Sequence, residues 1–235
     1  MSLKFLTPGE ISNMNSLIEM SLASKKSIHF VALHTLAAAL QSSTLMHKLE
    51  SNLLIRDSNF IPSIFQDQVG SSLHLRGADF FRQVILSSEA KYSHYIIGGD
   101  ATSHELLWNF VKFTDSSFRI VGQFTDEISP NSSEVIETLI TKIGDSGANV
   151  VWVFLGSPKQ DFIADSIISR LGVATICCGA AINFVSGSLR EAPAIIQHLK
   201  LEWIYRIHED PKKHLQRYFN SIILIIVHSL LKLLK

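Results

Sequence analysis

The chain has 235 residues, 46% of them hydrophobic and 18% charged. That composition belongs to a globular protein rather than a disordered one, and the length suits one domain or a domain with an appendage. Lysine plus arginine balance aspartate plus glutamate at 21 each, so no global charge recruits nucleic acid and any electrostatic partner must be met by a local patch.

The N-terminal stretch MSLKFLTPGEISNMNS lacks the apolar core of a signal peptide, which points to a cytosolic protein. Phe30 to Gln41 (FVALHTLAAALQ) passes from strand-like to helix-like, and Leu53 to Ile55 reads as a short strand ending at Arg56 and Asp57. A carboxylate at a strand end is well placed for acid–base work, although such a residue also commonly caps the following turn. Ser63 to Leu75 reads as a polar connection around Gly70, with a helix beginning in Arg76 to Phe81.

From here on, strand, glycine turn and helix repeat. Tyr95 to Ile97 runs into Gly98, Gly99 and Asp100, with Ser103 placed to cap a helix through Phe110. Arg119 to Val121 ends at Gly122, and Ser129, Pro130 and Asn131 lead into Glu134 to Ile143, whose apolar residues keep helical spacing. Val150 to Leu155 ends at Gly156 before a helix over Asp161 to Leu171, and Val173 to Cys178 ends at Gly179. Four such units in succession predict an α/β fold, a Rossmann-like, mostly parallel sheet flanked by helices.

Ligands of such sheets gather beyond the carboxyl ends of the strands, which makes Gly156 to Gln160, at the end of VVWVFLGSPKQD, the first place to look for a site. Glycines there let backbone approach a ligand, and the helix N-termini behind them favour phosphate; the same glycines also serve simply to make tight turns. Neither GxGxxG nor GxxxxGKS is present, so dinucleotide and P-loop chemistry are not indicated. The ten histidines are scattered, and no HExxH, HxH, DxD or GxSxG occurs. No metal site, cofactor or serine nucleophile is expected, and phosphates would fall to backbone amides and cationic side chains. The two cysteines, Cys177 and Cys178, are adjacent at the end of an apolar run and read as buried, reduced and structural.

The C-terminal part differs. Residues 1–200 read as the α/β core and 201–235 as a helical appendage, in which basic Lys212, Lys213 and Arg217 interleave with Trp203, Tyr205, Tyr218 and Phe219 ahead of the apolar Ile222 to Val227 and Leu230 to Leu234. The apolar length falls short of the ~20 residues that span a bilayer. A basic, aromatic segment beside an apolar helix suits an anchor on an anionic membrane surface; the alternative is an ordinary terminal helix with Lys232 and Lys235 complementing its dipole.

Several motifs together resemble one family. Gly156, Pro158, Lys159 and Gln160 match GxPKQE with Asp161 in place of the glutamate, and Gly179 to Gly187 (GAAINFVSG) resembles GGAFDFxAG. Ala192 and Pro193 match a RAP element, and Glu202, Trp203, Tyr205 and Arg206 match EWLYR, with Pro211 and Arg217 continuing the pattern. Arg76, Gly77 and Asp79 resemble RxxGxD, and Gly98 with Gly99 the strand end that follows it. In this order, over nearly the whole chain, they resemble the WecG/TagA/CpsF glycosyltransferases (glycosyltransferase family 26).

The resemblance implies a metal-independent, inverting transfer of a sugar, N-acetylmannosamine or a related hexose, from a UDP-sugar to an undecaprenyl-diphosphate-linked sugar on the cytoplasmic membrane face, in capsule, exopolysaccharide or teichoic-acid assembly. It implies no cofactor and no nucleic acid, and it is compatible with a homo-oligomer. Asp57 matches the candidate base. Gly98, Gly99, Gly156, Pro158, Gln160, Gly179 and Asn183 fall at the donor, and Arg190, Arg206, Lys213 and Arg217 at the diphosphate or acceptor. The chain also departs from the pattern. The glycine after the candidate base is Ser58, a TxN element near Phe30 to Ala32 has lost both polar residues, Asn183 replaces an aspartate, and Glu191 falls where the RAP arginine belongs, with Arg190 adjacent. Two classes of function follow: an active polysaccharide glycosyltransferase, or a noncatalytic member serving as a membrane-associated binding or scaffold subunit.

Overall fold

Strands this rich in β-branched and aromatic residues are built to be buried on both faces, and six of them form one all-parallel sheet. The computed structural model describes residues 3–57, 72–114, 116–126, 128, 132–199 and 201–233. In chain order the elements are α1 (Met14–Ser24), β1 (Ile28–Val31), α2 (Leu33–Gln41), α3 (Ser43–Glu50), β2 (Leu53–Arg56), α4 (Gly77–Ser87), β3 (Ser93–Gly98), α5 (Ala101–Phe113) and β4 (Arg119–Phe124). They continue with α6 (Ser133–Ser146), β5 (Val150–Phe154), α7 (Lys159–Leu171), β6 (Ala174–Cys177), α8 (Ala181–Ser186), α9 (Ala194–His198), α10 (Glu202–Glu209) and α11 (Pro211–Leu233). The strand order is β2-β1-β6-β5-β3-β4, every neighbouring pair parallel.

Strand β5 shows how the sequence builds two layers. Its side chains alternate, so Val150, Trp152 and Phe154 join the core on one face while Val151 and Val153 join the core on the other. The first core holds a cluster in which Phe81 of α4 packs on Trp152 and Phe154 at centroid distances of 4.6 and 4.9 Å. The second is closed by Leu139, Ile140 and Ile143 of α6 with Ile163, Ala164 and Ile167 of α7.

Several boundaries differ from the sequence reading, for physical reasons. Asp100, not Ser103, caps α5: its Oδ1 accepts from the Ser103 amide at 2.8 Å, so the helix starts at Ala101. Strand β4 does not stop at Gly122 but runs on through Phe124, and the glycine there makes room for the ring of Tyr95 on β3, which lies 2.4 Å from where a Cβ would sit. Helix α7 begins at Lys159, directly after a cis Ser157–Pro158 bond. The expected polar connection around Gly70 and the Ser129 to Asn131 turn lie outside the described residues, as does Ser58.

Residues 201–233 make two helices rather than one extension. Helix α11 packs on α2, with Ile225 buried against Leu33 and Ala37 and flanked by Tyr218, Ile222 and Leu224. The C-terminal helices therefore sit against the core beside the carboxyl ends of the strands.

Candidate functional site

The carboxyl ends of β1, β2, β5 and β6 open into one cavity of about 490 Å³. Its floor comes from the segments that leave these strands: Ala32 to Thr35, Asp57, Gly156, Ser157 and Gln160, and Cys178 to Ala181. Its far wall is Trp203 and Arg206 of α10 with Arg217 and Tyr218 of α11. A crevice beyond the strand ends is where open parallel sheets hold ligands, because loops there vary while the strands stay fixed.

Asp57 is the acid of this cavity. It is the first residue past β2, its own amide bonded to the Val31 carbonyl at 3.0 Å, and its carboxylate accepts from the Gly77 amide at 2.8 Å. That amide comes so close because residue 77 is glycine: a Cβ there would lie 3.3 Å from Cys178. Burial raises the Asp57 pKa, the Gly77 amide and the Arg76 charge pull it back, and the balance lies at about 6. A carboxylate poised there is ionised at neutral pH and still basic enough to accept a proton.

The Gly156 to Asp161 turn is held from below. Gly156 and Gly179 have φ of 74° and 57°, left-handed conformations that glycine adopts without penalty. Gln160 is buried, and its Oε1 accepts from the Gly179 amide at 2.9 Å, which assigns the side-chain oxygen to that contact and turns the NH₂ group elsewhere. Asp161 accepts from Ser157 Oγ at 2.6 Å and bonds His29 Nδ1 at 2.7 Å, deep in the core. His29, Asp161 and Cys177 bring possible metal-ligand atoms within 4.8 Å, the one such set among the described residues. Its donors are already used: His29 Nε2 meets Ser27 Oγ at 2.7 Å, and burial pushes the Cys177 thiol well up, keeping it protonated. The set acts as a structural tie between β1, β6 and the turn.

The cations divide into two groups. Arg76 is neutralised: it pairs with Asp79, Glu191 and Glu202 at 3.2, 2.9 and 3.3 Å and also donates to Gln197. Arg206 instead donates to the Arg190 carbonyl at 3.1 Å and lies over the Phe184 ring, while Arg217 has no carboxylate within ion-pair distance among the described residues. Desolvation lowers the pKa of both, and both line the cavity without an ion-pair partner among the described residues, unlike Arg76.

A basic-enough carboxylate at one strand end, a glutamine at another and arginines facing them form a site for an anionic, hydroxyl-bearing substrate pair. The sequence matches the Glycosyl transferase WecG/TagA/CpsF family over residues 7–235. The chain belongs to that family. It is thus a glycosyltransferase-family protein of cell-surface polysaccharide synthesis.

Of the site residues expected from the sequence, the cavity brings together Asp57, Gly156, Gln160, Gly179, Arg206 and Arg217. Gly98, Gly99, Pro158, Asn183 and Arg190 do not line it. Gly98 packs against the Phe154 carbonyl, 2.8 Å from where a Cβ would lie, and Asn183 accepts from Ser103 at 2.9 Å. Arg190 is exposed and contributes its carbonyl to Arg206. Lys213 lies on α11 with its side chain outside the described residues. Glu191 binds Arg76 and Arg82 and does not line this cavity. Sequence reasoning missed His34, Thr35, Trp203 and Tyr218 as cavity residues. The strand-end rule that selected Asp57 would have found His34 and Thr35, which follow β1 in the same way.

The raised pKa of Asp57 has a consequence for stability. Its folded pKa of about 6 exceeds the ordinary 3.8, so the unfolded chain sheds the proton first and ionisation opposes folding, from about pH 4 upward and in full above about pH 6. Asp57→Asn keeps the Oδ1 acceptor and removes the penalty. The variant should be more stable than wild type at pH 7.5, by about 1 to 2 kcal/mol after allowance for solvent in the cavity, with the gap closing near pH 4. Thermal melts across that range test it, and identical curves would mean Asp57 ionises without cost.

Proposed function

We propose that the protein is an inverting, metal-independent hexosyltransferase that moves a sugar from a UDP-sugar to a polyprenyl-diphosphate-linked acceptor at the inner membrane surface. The observation that carries this reading is Asp57, with its pKa at about 6, in a cavity whose opposite wall holds Arg206 and Arg217. Asp57 takes the proton from the acceptor hydroxyl as that oxygen attacks the anomeric carbon, and direct displacement inverts the centre. The departing diphosphate gains negative charge and is met by guanidinium groups, whose planar donors suit phosphate oxygens. Gln160 offers its NH₂ group to the donor sugar.

The outer face of α11 supports a surface role. Leu215, Phe219, Ile223, Ile226, Val227, Leu230 and Leu231 are exposed, opposite the face that packs on α2. No helix of the described residues is long and apolar enough to cross a membrane. An apolar stripe of this kind, with the exposed Lys212 on the same helix, fits the headgroup boundary of an anionic bilayer.

Asp57→Asn should lower kcat by about 100-fold or more with UDP affinity almost unchanged, and wild-type activity should fall as pH drops through about 6, where the base becomes protonated. Steady-state assays of UDP release check both, and activity within about twofold of wild type would remove Asp57 from the role. EDTA should leave turnover intact; loss on chelation restored by Mg²⁺ or Mn²⁺ would contradict metal independence. Finally, Phe219→Ser with Ile226→Ser and Leu230→Ser should weaken co-sedimentation with anionic liposomes several-fold while sparing the packed Ile225. Unchanged co-sedimentation would leave α11 as a terminal helix only.

A further inference from the structure

Arg76 is the cation beside Asp57, yet the two make no ion pair. It is the N-cap residue of α4, directly before the glycine whose amide holds Asp57, and Asp57, Arg76 and Glu202 line the same cavity. Every guanidinium nitrogen is taken elsewhere. Nη1 donates to Asp79 at 3.2 Å and to Gln197 at 2.7 Å, Nη2 donates to Glu191 at 2.9 Å, and Nε faces Glu202 at 3.3 Å. Asp79 belongs to α4 itself, whereas Glu191 lies ahead of α9 and Glu202 opens α10. Glu191 is held in turn by Arg82 of α4 and by the Gln197 amide group, so the clasp is closed from both sides.

The cost of losing that clasp follows from elementary electrostatics. A guanidinium paired with a carboxylate favours its ionised form and draws its pKa down by about 1 to 3 pH units. A carboxylate so lowered is a poor proton acceptor at neutral pH. The charges that bear on Asp57 come from several elements: burial raises its pKa most, the Gly77 amide and Arg76 lower it, and Glu202 and Asp79 raise it. Cys178 beyond β6 and Tyr218 of α11 also feel its charge, but burial raises the pKa of both and leaves them uncharged at neutral pH. Arg206, Arg217 and His214 line the same cavity, and burial with the Arg217 charge keeps His34 neutral, its pKa at about 3. Arg76 is thus the cation whose placement the acids control.

We propose that Glu191 and Glu202 are positioning residues: they hold the Arg76 guanidinium toward the C-terminal segment, leave none of its nitrogens for Asp57, and so keep Asp57 able to accept a proton. Because Glu202 opens α10, Asp57 is tuned in this way only with that helix in place. The use of Asp57 as a base rests on the transferase reading, whereas the hold of the clasp on Asp57 is measurable without it.

NMR titration of the full-length protein, isotope-labelled at its aspartate carboxyl carbons, tests the clasp, with the Asp57 signal assigned by its loss in Asp57→Asn. Wild type should titrate near pH 6. Glu191→Gln and Glu202→Gln, which keep the side-chain size and one acceptor oxygen, should each bring the midpoint down to about 5, because a released guanidinium favours the carboxylate. Arg76→Gln should instead raise it. Adding Glu191→Gln to Arg76→Gln should then move nothing further, since Glu191 does not line the cavity and acts only through Arg76. An equal shift with and without Arg76 overturns the clasp, and so does a variant that melts lower but titrates as wild type. Glu191→Gln decides the matter if Glu202→Gln does not fold. In assays of UDP release the acid limb of kcat/KM should follow the midpoint to lower pH, with kcat on the plateau down about threefold as the base weakens. A limb that stays while the midpoint moves overturns the positioning role. If the midpoints move as stated but wild type consumes no UDP-sugar, the clasp stands and the transferase reading fails. If wild type turns over a UDP-sugar and the midpoints stay, the clasp falls and the transferase reading stands.

Discussion

The cavity exists because α11 packs on α2. Ile225, 1% exposed, sits against Leu33 and Ala37 with Tyr218 and Ile222 beside it, and full burial of one such side chain is worth about 1.5 to 3 kcal/mol. Without that contact the strand ends would open to solvent on one side. With it, α10 and α11 stand over Asp57 and deliver Trp203, Arg206 and Arg217 to the same space. Because Leu33 belongs to the first turn of α2 and also lines the cavity, the packing that docks the terminal helix bears on the turn beneath it.

Charge inside this space is partitioned, not spread. Three carboxylates surround Arg76, so although it lines the cavity it ties the start of α4 to Glu191 ahead of α9 and to Glu202 at the start of α10. Glu191 is part of that tie, and its partners explain how an acid is accommodated beside the site: Arg76 and Arg82 both hold it. The C-terminal arginines of the cavity, Arg206 and Arg217, make no ion pair among the described residues and are partly desolvated. Desolvation strengthens any ion pair they make with a ligand, since fewer waters compete for the guanidinium.

Much of the fold was legible. Continuous apolar runs such as VVWVF announce strands covered on both faces, and the alternation of Trp152 with Val151 and Val153 between two cores is what such a run becomes in three dimensions. Asp57, Gly156, Gln160 and Gly179 were legible for a simpler reason, since topology brings strand ends together and residues just past them must be neighbours. Gly98 reads the same way in sequence, yet its space is filled by the Phe154 carbonyl, a contact between β3 and β5 that no local pattern encodes. The tie of His29 to Asp161 spans 132 residues and was equally invisible. Gly122 misled because a glycine in a strand can mark close approach of a neighbouring ring as well as an end.

The departures from the family pattern look different once positions become places. The residues near Phe30 to Ala32 lost their polar groups, but His34 and Thr35 open on the same cavity a few residues later, so polar function is present at the strand end in altered form. An imidazole kept neutral by burial and by Arg217 donates or accepts a hydrogen bond without adding charge. Such a replacement keeps hydrogen-bonding groups on the cavity floor while changing its shape. Helix α11 then acts on both sides: its inner face docks on α2 and carries Arg217 inward, and its outer face leaves Phe219, Ile226 and Leu230 exposed. Under the proposed reading, a surface that seats the outer face also holds the helix that supplies the cation, so engagement of the membrane and completion of the site draw on the same packing energy.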